Sequence, residues 1–176
     1  MCRASGEHTA CNPQQTTKRL FDGSLGTKWL DFGGGRTNGT AWVEYRLLPD
    51  RAAVVISHYD VIAAEDCPER DPCDWVLDAR VSSTASSSGT GSSSSSSTAS
   101  RGGTGPSSSS DGDWVVLHEC QGHRFSRRQQ LCSFVVPAAA RVASRCWRLR
   151  ITRTADPSSA TCVQLCCWGL YATQQE

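Results

Sequence analysis

The sequence predicts an all-β domain, an antiparallel sandwich, and three observations carry that expectation. Two segments alternate apolar and polar side chains with the period of two that a half-buried strand requires, and five more read as strands bounded by turn residues. No stretch sustains a 3.6-residue apolar period long enough to organise a helical core. The strands also follow one another without intervening helices, which argues against the βα alternation of a parallel sheet. At 176 residues the chain fits one ordinary domain. That domain is expected over residues 12–172, between an N-terminal tail, 1–11, and a C-terminal tail, 173–176.

Each element has its own warrant. Residues 16–21 (TTKRLF) suffice for one helical turn. Residues 41–47 (AWVEYRL) place Val43, Tyr45 and Leu47 on one face and Trp42, Glu44 and Arg46 on the other. Strands are expected at 53–62, 75–80, 114–118, 131–136, 146–152 and 162–171, each bounded by Gly, Pro, Asp or Ser. In 146–152, Trp147, Leu149 and Ile151 oppose Arg148, Arg150 and Thr152. Residues 137–144 (PAAARVAS) suit a second short turn. Residues 82–110 are nearly all Ser, Gly, Thr and Ala and bury nothing, so they read as a long flexible loop insertion. Asp111-Gly112 after it is a competent tight-turn pair.

Composition narrows the function classes. A net charge of +1 argues against a nucleic-acid partner, which calls for a basic patch. No apolar run reaches the length of a membrane span, and the first residues lack the apolar stretch of a secretory signal, which leans the reading toward the cytoplasm. The 10 cysteines pull toward an oxidising compartment. Cys146, Cys162 and Cys167 fall where strands turn them inward, so mostly reduced thiols are expected. Cys166 and Cys167, read as strand neighbours, are expected on opposite faces and not as a redox pair.

The stretch CPERDPCDWVLDA, 67–79, reads as a rigid corner feeding a strand. Two cysteines at that spacing do not match a zinc knuckle. Pro68 and Pro72 restrict the backbone, Arg70 suits bidentate pairing with carboxylates, and Trp75 fills the interior. The cluster His118, Cys120 and His123 likewise matches no standard metal spacing. No nucleophile, acid and base constellation is evident, so no catalytic residue is assigned and the chain is not read as an enzyme.

The order of KRLFDGSLGTKWLDF, WVEYRL, YDVIAAEDCPERDPCDWVLDA, DGDWVVL, FSRRQQLCSF, WRLRIT and VQLCCWGLY resembles discoidin, or F5/8 type C, domains. It is similar to the galactose-binding-domain-like modules attached to carbohydrate-active enzymes. The resemblance runs from about Asn12 to Tyr171 and implies a jelly-roll β-sandwich without catalytic residues, binding glycans, proteins or lipid head groups through loops at one end. It assigns Asp66, Pro68, Arg70, Asp71 and Trp75 mainly structural roles, leaves Cys67 and Cys73 open to pairing with each other, and gives Arg128 an ion pair with the acidic corner.

The loop LFDGSLGTKWLDF groups oxygen donors on Asp22, Ser24, Thr27 and Asp31 around two glycines, a pattern that suits a hard cation. The resemblance implies a structural calcium here, with Asp22 and Thr27 as candidate ligands. It also places Cys167 where related modules carry a Glu, and thiolate is a poor calcium ligand. A turn in which Asp22 caps backbone amides is the competing reading.

Sugar recognition calls for an aromatic face and planar hydrogen-bonding side chains at a loop end. Trp29, Asp31, His58, Arg70, His123 and Arg124 are the candidate ligand residues. Core burial competes for Trp29, and a strand position without contact to ligand competes for His58. The leading reading is a non-catalytic carbohydrate-binding module using loops 22–38, 63–74 and 119–128, with a glycan or glycoprotein as partner. The alternative is an intracellular protein-interaction module of the same fold, in either case open to being a fragment of a larger glycan-processing enzyme such as a glycoside hydrolase or peptide N-glycanase.

Overall fold

The computed structural model describes residues 1–8, 12–32, 41–81 and 113–173. Its strands are β1 (Cys2–Ala4), β2 (Trp29–Asp31), β3 (Ala41–Arg46), β4 (Val54–Ile62), β5 (Pro72–Arg80), β6 (Trp114–Cys120), β7 (Leu131–Val135), β8 (Ala143–Ser144), β9 (Cys146–Thr154), β10 (Val163–Leu165) and β11 (Cys167–Ala172). They build a five-stranded sheet in the order β1-β3-β9-β5-β6, a four-stranded sheet β11-β4-β7 with β8 alongside β4, and a two-stranded ribbon β10-β2. Every pairing is antiparallel. This is the all-β sandwich that the alternation predicts. Short 3₁₀ turns occupy Thr17–Phe21, Pro68–Arg70 and Ala138–Ala140.

Register turns the period-two pattern into a core. In the five-stranded sheet Val43 faces Leu149, which faces Leu77; Ala41 faces Ile151, which faces Trp75. These rows are buried, and they meet Tyr59, Val61 and Trp168 from the four-stranded sheet. Trp29, Trp75, Trp147 and Trp168 are all essentially inaccessible. The core cluster draws on residues from both sides of segment 82–112. On the opposite face of the large sheet, the arginines of β9 form an ion-pair ladder. Arg148 meets Glu44, Arg150 Nε donates to Asp78 at 2.5 Å, and Arg153 Nε donates to Asp74 at 2.6 Å. Arg148 is also stacked between Trp42 and Trp114, with its guanidinium carbon 5.0 and 4.1 Å from the ring centres.

The corner at 67–71 is as rigid as its prolines suggest, with different bonds from those expected. Cys67 takes a left-handed conformation (φ 42°), and Arg70 N–H donates back to its carbonyl at 3.0 Å. Arg128, not Arg70, locks the acidic side. Its Nη2 donates to Asp71 at 2.5 Å and its Nη1 to the Asp66 carbonyl at 3.1 Å, as the resemblance implied for Arg128. Gln164 Nε2 donates to the carbonyls of Asp66 and Cys67 at 2.7 and 2.9 Å. Asp66 itself pairs with the buried Lys28 at 2.6 Å.

Three expectations differ from the structure in instructive ways. The stretch read as an N-terminal tail contributes β1, whose Cys2, Arg3 and Ala4 pair with Tyr45, Glu44 and Val43. The single strand expected over 162–171 is two strands separated at Cys166. That break cancels the alternation on which the opposed placement of Cys166 and Cys167 rested, and their sulphurs lie 3.7 Å apart. Cys67 and Cys73 are not joined; all nine cysteines among the described residues are free thiols. The insertion 82–110 and the Asp111-Gly112 turn lie outside the described residues. The hairpin around them is intact: Arg80 pairs with Trp114, and Val81 N–H donates to the Asp113 carbonyl at 2.9 Å.

Candidate functional site

Three loops at one end of the sandwich converge on a cavity of about 260 Å³. The corner before β5 supplies Pro68, Glu69, Asp71 and Pro72, the loop after β6 supplies His123, Arg124, Phe125 and Arg128, and the turn after β9 supplies Ala155 and Asp156. Backbone bonds fix the three loops to one another. His123 N–H donates to the Cys73 carbonyl at 2.9 Å, and Ala155 and Asp156 N–H donate to the carbonyls of Asp71 and Glu69 at 2.8 and 3.1 Å. Gly122 allows the hairpin turn at φ 68°, and its N–H donates to Asp74 at 2.6 Å.

The chemistry of the cavity is mixed. His123 is wedged among aromatic rings, 4.6 Å from Phe125, 5.3 Å from Trp75 and 5.4 Å from Phe134. Its Nε2 has no hydrogen-bond partner among the described residues. Burial holds this imidazole below its ordinary pKa, so it is neutral near pH 7. Arg124 is exposed and donates to the Ala155 carbonyl, leaving further N–H groups directed to solvent. The Asp156 carboxyl is pushed down to about 2 by the hydroxyls of Ser158 and Ser159 and the Ser158 amide, so it is an anionic acceptor. A neutral ring, a guanidinium and carboxylates around one small concavity can grip a polar, hydroxyl-rich ligand from several directions.

The other residues singled out from sequence lie elsewhere. Trp29 is fully buried and donates its indole N–H to the Gly6 carbonyl at 2.9 Å; it is core and offers no stacking face. Asp31 is fully buried and accepts from the Ser5 hydroxyl, which removes it from ligand contact. His58 lies on β4, stacked flat on Tyr171 at 4.4 Å and bonded to Ser57. Arg70 sits beside the cavity with its Nε 3.6 Å from Glu69. Of the six candidates, only His123 and Arg124 line this site, and Phe125, Glu69 and Asp156 complete it. His118 donates or accepts at Nδ1 with the Tyr59 hydroxyl, 2.8 Å away, and belongs to the core network.

The loop carrying Asp22 and Thr27 does not fit a hard cation. Burial alone would raise the Asp22 carboxyl, but the Ser24 amide, the Thr27 hydroxyl and Arg19 outweigh it and hold it below its usual range. Both Asp22 oxygens are taken: Oδ1 accepts from Ser24 N–H at 2.9 Å and Thr27 Oγ1 at 3.0 Å, and Oδ2 from Thr27 and from Arg19 at 3.3 Å. This is the capping turn. The Ser24 carbonyl is faced by the Thr27 hydroxyl at 3.2 Å and by the thiols of Cys166 and Cys167, each 3.8 Å away. Calcium coordinates six to eight oxygens, and thiols are poor substitutes for them. Among the described residues no group of three or more His, Cys, Asp and Glu side chains is placed to hold a metal ion.

A second concavity, about 410 Å³, runs beside β11 and is lined by Phe21, Leu25, Tyr45, Cys167, Trp168 and Tyr171 among others. Its lining includes Asp60, which accepts from the Tyr171 hydroxyl at 2.7 Å. Among the described residues no helix is long and apolar enough to cross a membrane.

No family model matches the chain. One curated relative, a peptide-N(4)-(N-acetyl-β-glucosaminyl)asparagine amidase of Arabidopsis thaliana, is 27% identical over 172 residues, which is 98% of this chain. The chain spans 19% of that relative's length. Among solved structures, an F5/8 type C domain from Bacteroides fragilis aligns with a TM-score of 0.66 at 13% identity, covering 99% of this chain and 92% of that one. A family 32 carbohydrate-binding module from Clostridium perfringens in complex with GalNAc-β-1,3-galactose gives 0.62 at 9% identity, covering 98% and 94%. Another from the same organism, in complex with galactose, gives 0.60 at 8%, covering 97% and 91%. Strand order, antiparallel pairing and these near-complete alignments lead to one conclusion: the chain has the galactose-binding-like sandwich fold of F5/8 type C domains and family 32 carbohydrate-binding modules.

Proposed function

We propose that this chain is a non-catalytic glycan-binding module and that the loop-end cavity around His123, Arg124, Glu69 and Asp156 takes a sugar. The observation that carries the reading is the cavity itself: an aromatic-flanked concavity of monosaccharide scale with the exposed guanidinium of Arg124 and an anionic carboxylate on its walls. The sugar complexes of the fold neighbours support it. The likeness to part of an amidase supports a further step, in which the module holds a glycoprotein for catalysis carried by another part of a longer protein.

The test is a glycan array followed by calorimetry on the best ligand. Arg124→Ala removes an exposed side chain and leaves the core intact. Affinity is expected to fall about tenfold or more, the worth of one charged hydrogen bond. A ligand bound equally well by Arg124→Ala and Asp156→Ala would refute this site. A second reading, a protein-interaction module, draws on the exposed apolar side chains Leu25, Leu131, Val135 and Tyr171. A blank array together with a partner whose binding is lost in Leu131→Asp would favour it.

A further inference from the structure

We propose that the second concavity, beside β11, is a docking site for a lysine side chain of a partner polypeptide, with Asp60 as its counter-charge. Tyr59 and Val61 of β4 belong to the core, so the period of two turns His58, Asp60 and Ile62 to the outer face of the four-stranded sheet. Register sets Asp60 between Gly169 of β11 and Ser133 of β7. Gly169 keeps this row open: a Cβ there would lie 3.1 Å from the side chain of Tyr171, whose hydroxyl donates to Asp60 Oδ2 at 2.7 Å. Ser133 donates to Asp60 Oδ1 at 2.5 Å.

The charge of Asp60 is left unbalanced by the chain itself. It is only 8% exposed, and among the described residues no Lys, Arg or His side chain pairs with it. Glu44, Asp71 and Asp78, which are also buried, each meet an arginine. A carboxylate taken out of water calls for a cation, and two hydrogen bonds leave half of its lone-pair sites open. The concavity in front of it holds about 410 Å³, has apolar walls from Leu20, Phe21, Leu25, Ile62 and Leu131, and carries no basic residue among its described lining. A lysine matches both parts, its four-carbon stem along the walls and its ammonium on the carboxylate. Each Asp60 oxygen already accepts one hydrogen bond, which suits a point-like ammonium better than a two-pronged guanidinium. Leu25, Leu131 and Tyr171 are exposed at this concavity, so residues flanking the lysine gain apolar contacts that a free amine lacks. The site shares no lining residue with the loop-end cavity, and its occupancy does not depend on what that cavity binds.

The experiment titrates the isotopically labelled chain with the capped tripeptide Leu-Lys-Leu and follows its amide resonances. The expected result is saturable shifts centred on Asp60, Ile62 and Gly169, with affinity about tenfold weaker when norleucine, which keeps the stem and drops the charge, replaces the lysine. Asp60→Asn keeps the shape of the side chain and should weaken the lysine peptide by a similar factor, with the resonances of the loop-end cavity unchanged. No saturable shift with the lysine peptide, equal affinity for the norleucine peptide, or undiminished binding by Asp60→Asn would overturn the proposal. Butylamine bound as tightly as the peptide would overturn a polypeptide as the occupant. If Asp60→Asn does not fold, the comparison of lysine with norleucine on the unaltered chain decides.

Discussion

Replacing Arg128 by Ala removes the cation that compensates Asp71, a carboxylate whose side chain is only 3% exposed. The Arg128 guanidinium lies 2.5 Å from Asp71 and also holds the carbonyls of Ala64 and Asp66. What remains for Asp71 is Gln164 Nε2 at 3.3 Å. Breaking a buried ion pair from one side costs about 3–5 kcal/mol. Arg128 is itself 29% exposed, so water reaches the vacated site and a smaller loss, about 2–3 kcal/mol, is expected. The assay is urea unfolding followed by tryptophan fluorescence. The double variant Arg128→Ala/Asp71→Asn should recover at least half of the loss, because the uncompensated charge is gone. Acid should help the single variant as well. Burial holds the Asp71 carboxyl above its ordinary pKa, against the pull of Arg128 and Gln164. A carboxyl with a raised folded pKa binds its proton more tightly in the native state, so its unfavourable contribution is absent below the unfolded pKa and grows as pH rises through the folded one. Without Arg128 the raise is larger, and the deficit should shrink as pH is lowered toward 4. A deficit below about 0.5 kcal/mol at pH 7, the ordinary scatter of surface changes, would refute the reasoning.

Other predictions concern the core network and the outer face of the large sheet. Tyr59→Phe removes the acceptor that Trp75 Nε1–H uses at 2.8 Å and the partner of His118, so a loss of about 1–3 kcal/mol and an altered tryptophan emission are expected; unchanged stability would contradict the network. Burial lowers the pKa of both His118 and His123, although Glu119 pulls His118 the other way. The unfolded chain therefore binds more protons below about pH 6.5, and the melting temperature should fall between pH 7 and pH 5.5, whereas a flat profile would place these rings in solvent. Arg148→Ala strips the partner of Glu44 and the cation between Trp42 and Trp114; a loss larger than that of Arg153→Ala is expected in chemical denaturation, since Glu44 is buried and Asp74 is not.

What the sequence disclosed follows the length of each periodic signal. The alternation in 41–47 and 146–152 extends over enough residues to declare both faces, and the rows through Val43, Leu149 and Leu77 realise it. The Pro68–Pro72 corner was legible because proline restricts the backbone whatever surrounds it. β1 and β2 are three residues each, too short to display a period, and all three residues of β2 are buried. Asp31 looked like a ligand because its partner, Ser5, comes from a segment with no visible strand. The break at Cys166 was hidden inside the short apolar stretch 165–168, and with it the contact between the two thiols. His123 and Arg124 were visible as loop residues with useful chemistry. Their assembly with Glu69 and Asp156 depends on backbone bonds among three distant loops, for which local sequence carries no signal.

The central claim is best tested by nuclear magnetic resonance on the isotopically labelled chain, titrated with the tightest sugar from the array. The account predicts saturable shift changes centred on the amides of Glu69, His123, Arg124, Phe125 and Asp156, with those of β11 unmoved. Changes centred instead on Leu25, Leu131 and Tyr171 would contradict it, and so would a spectrum indifferent to every sugar.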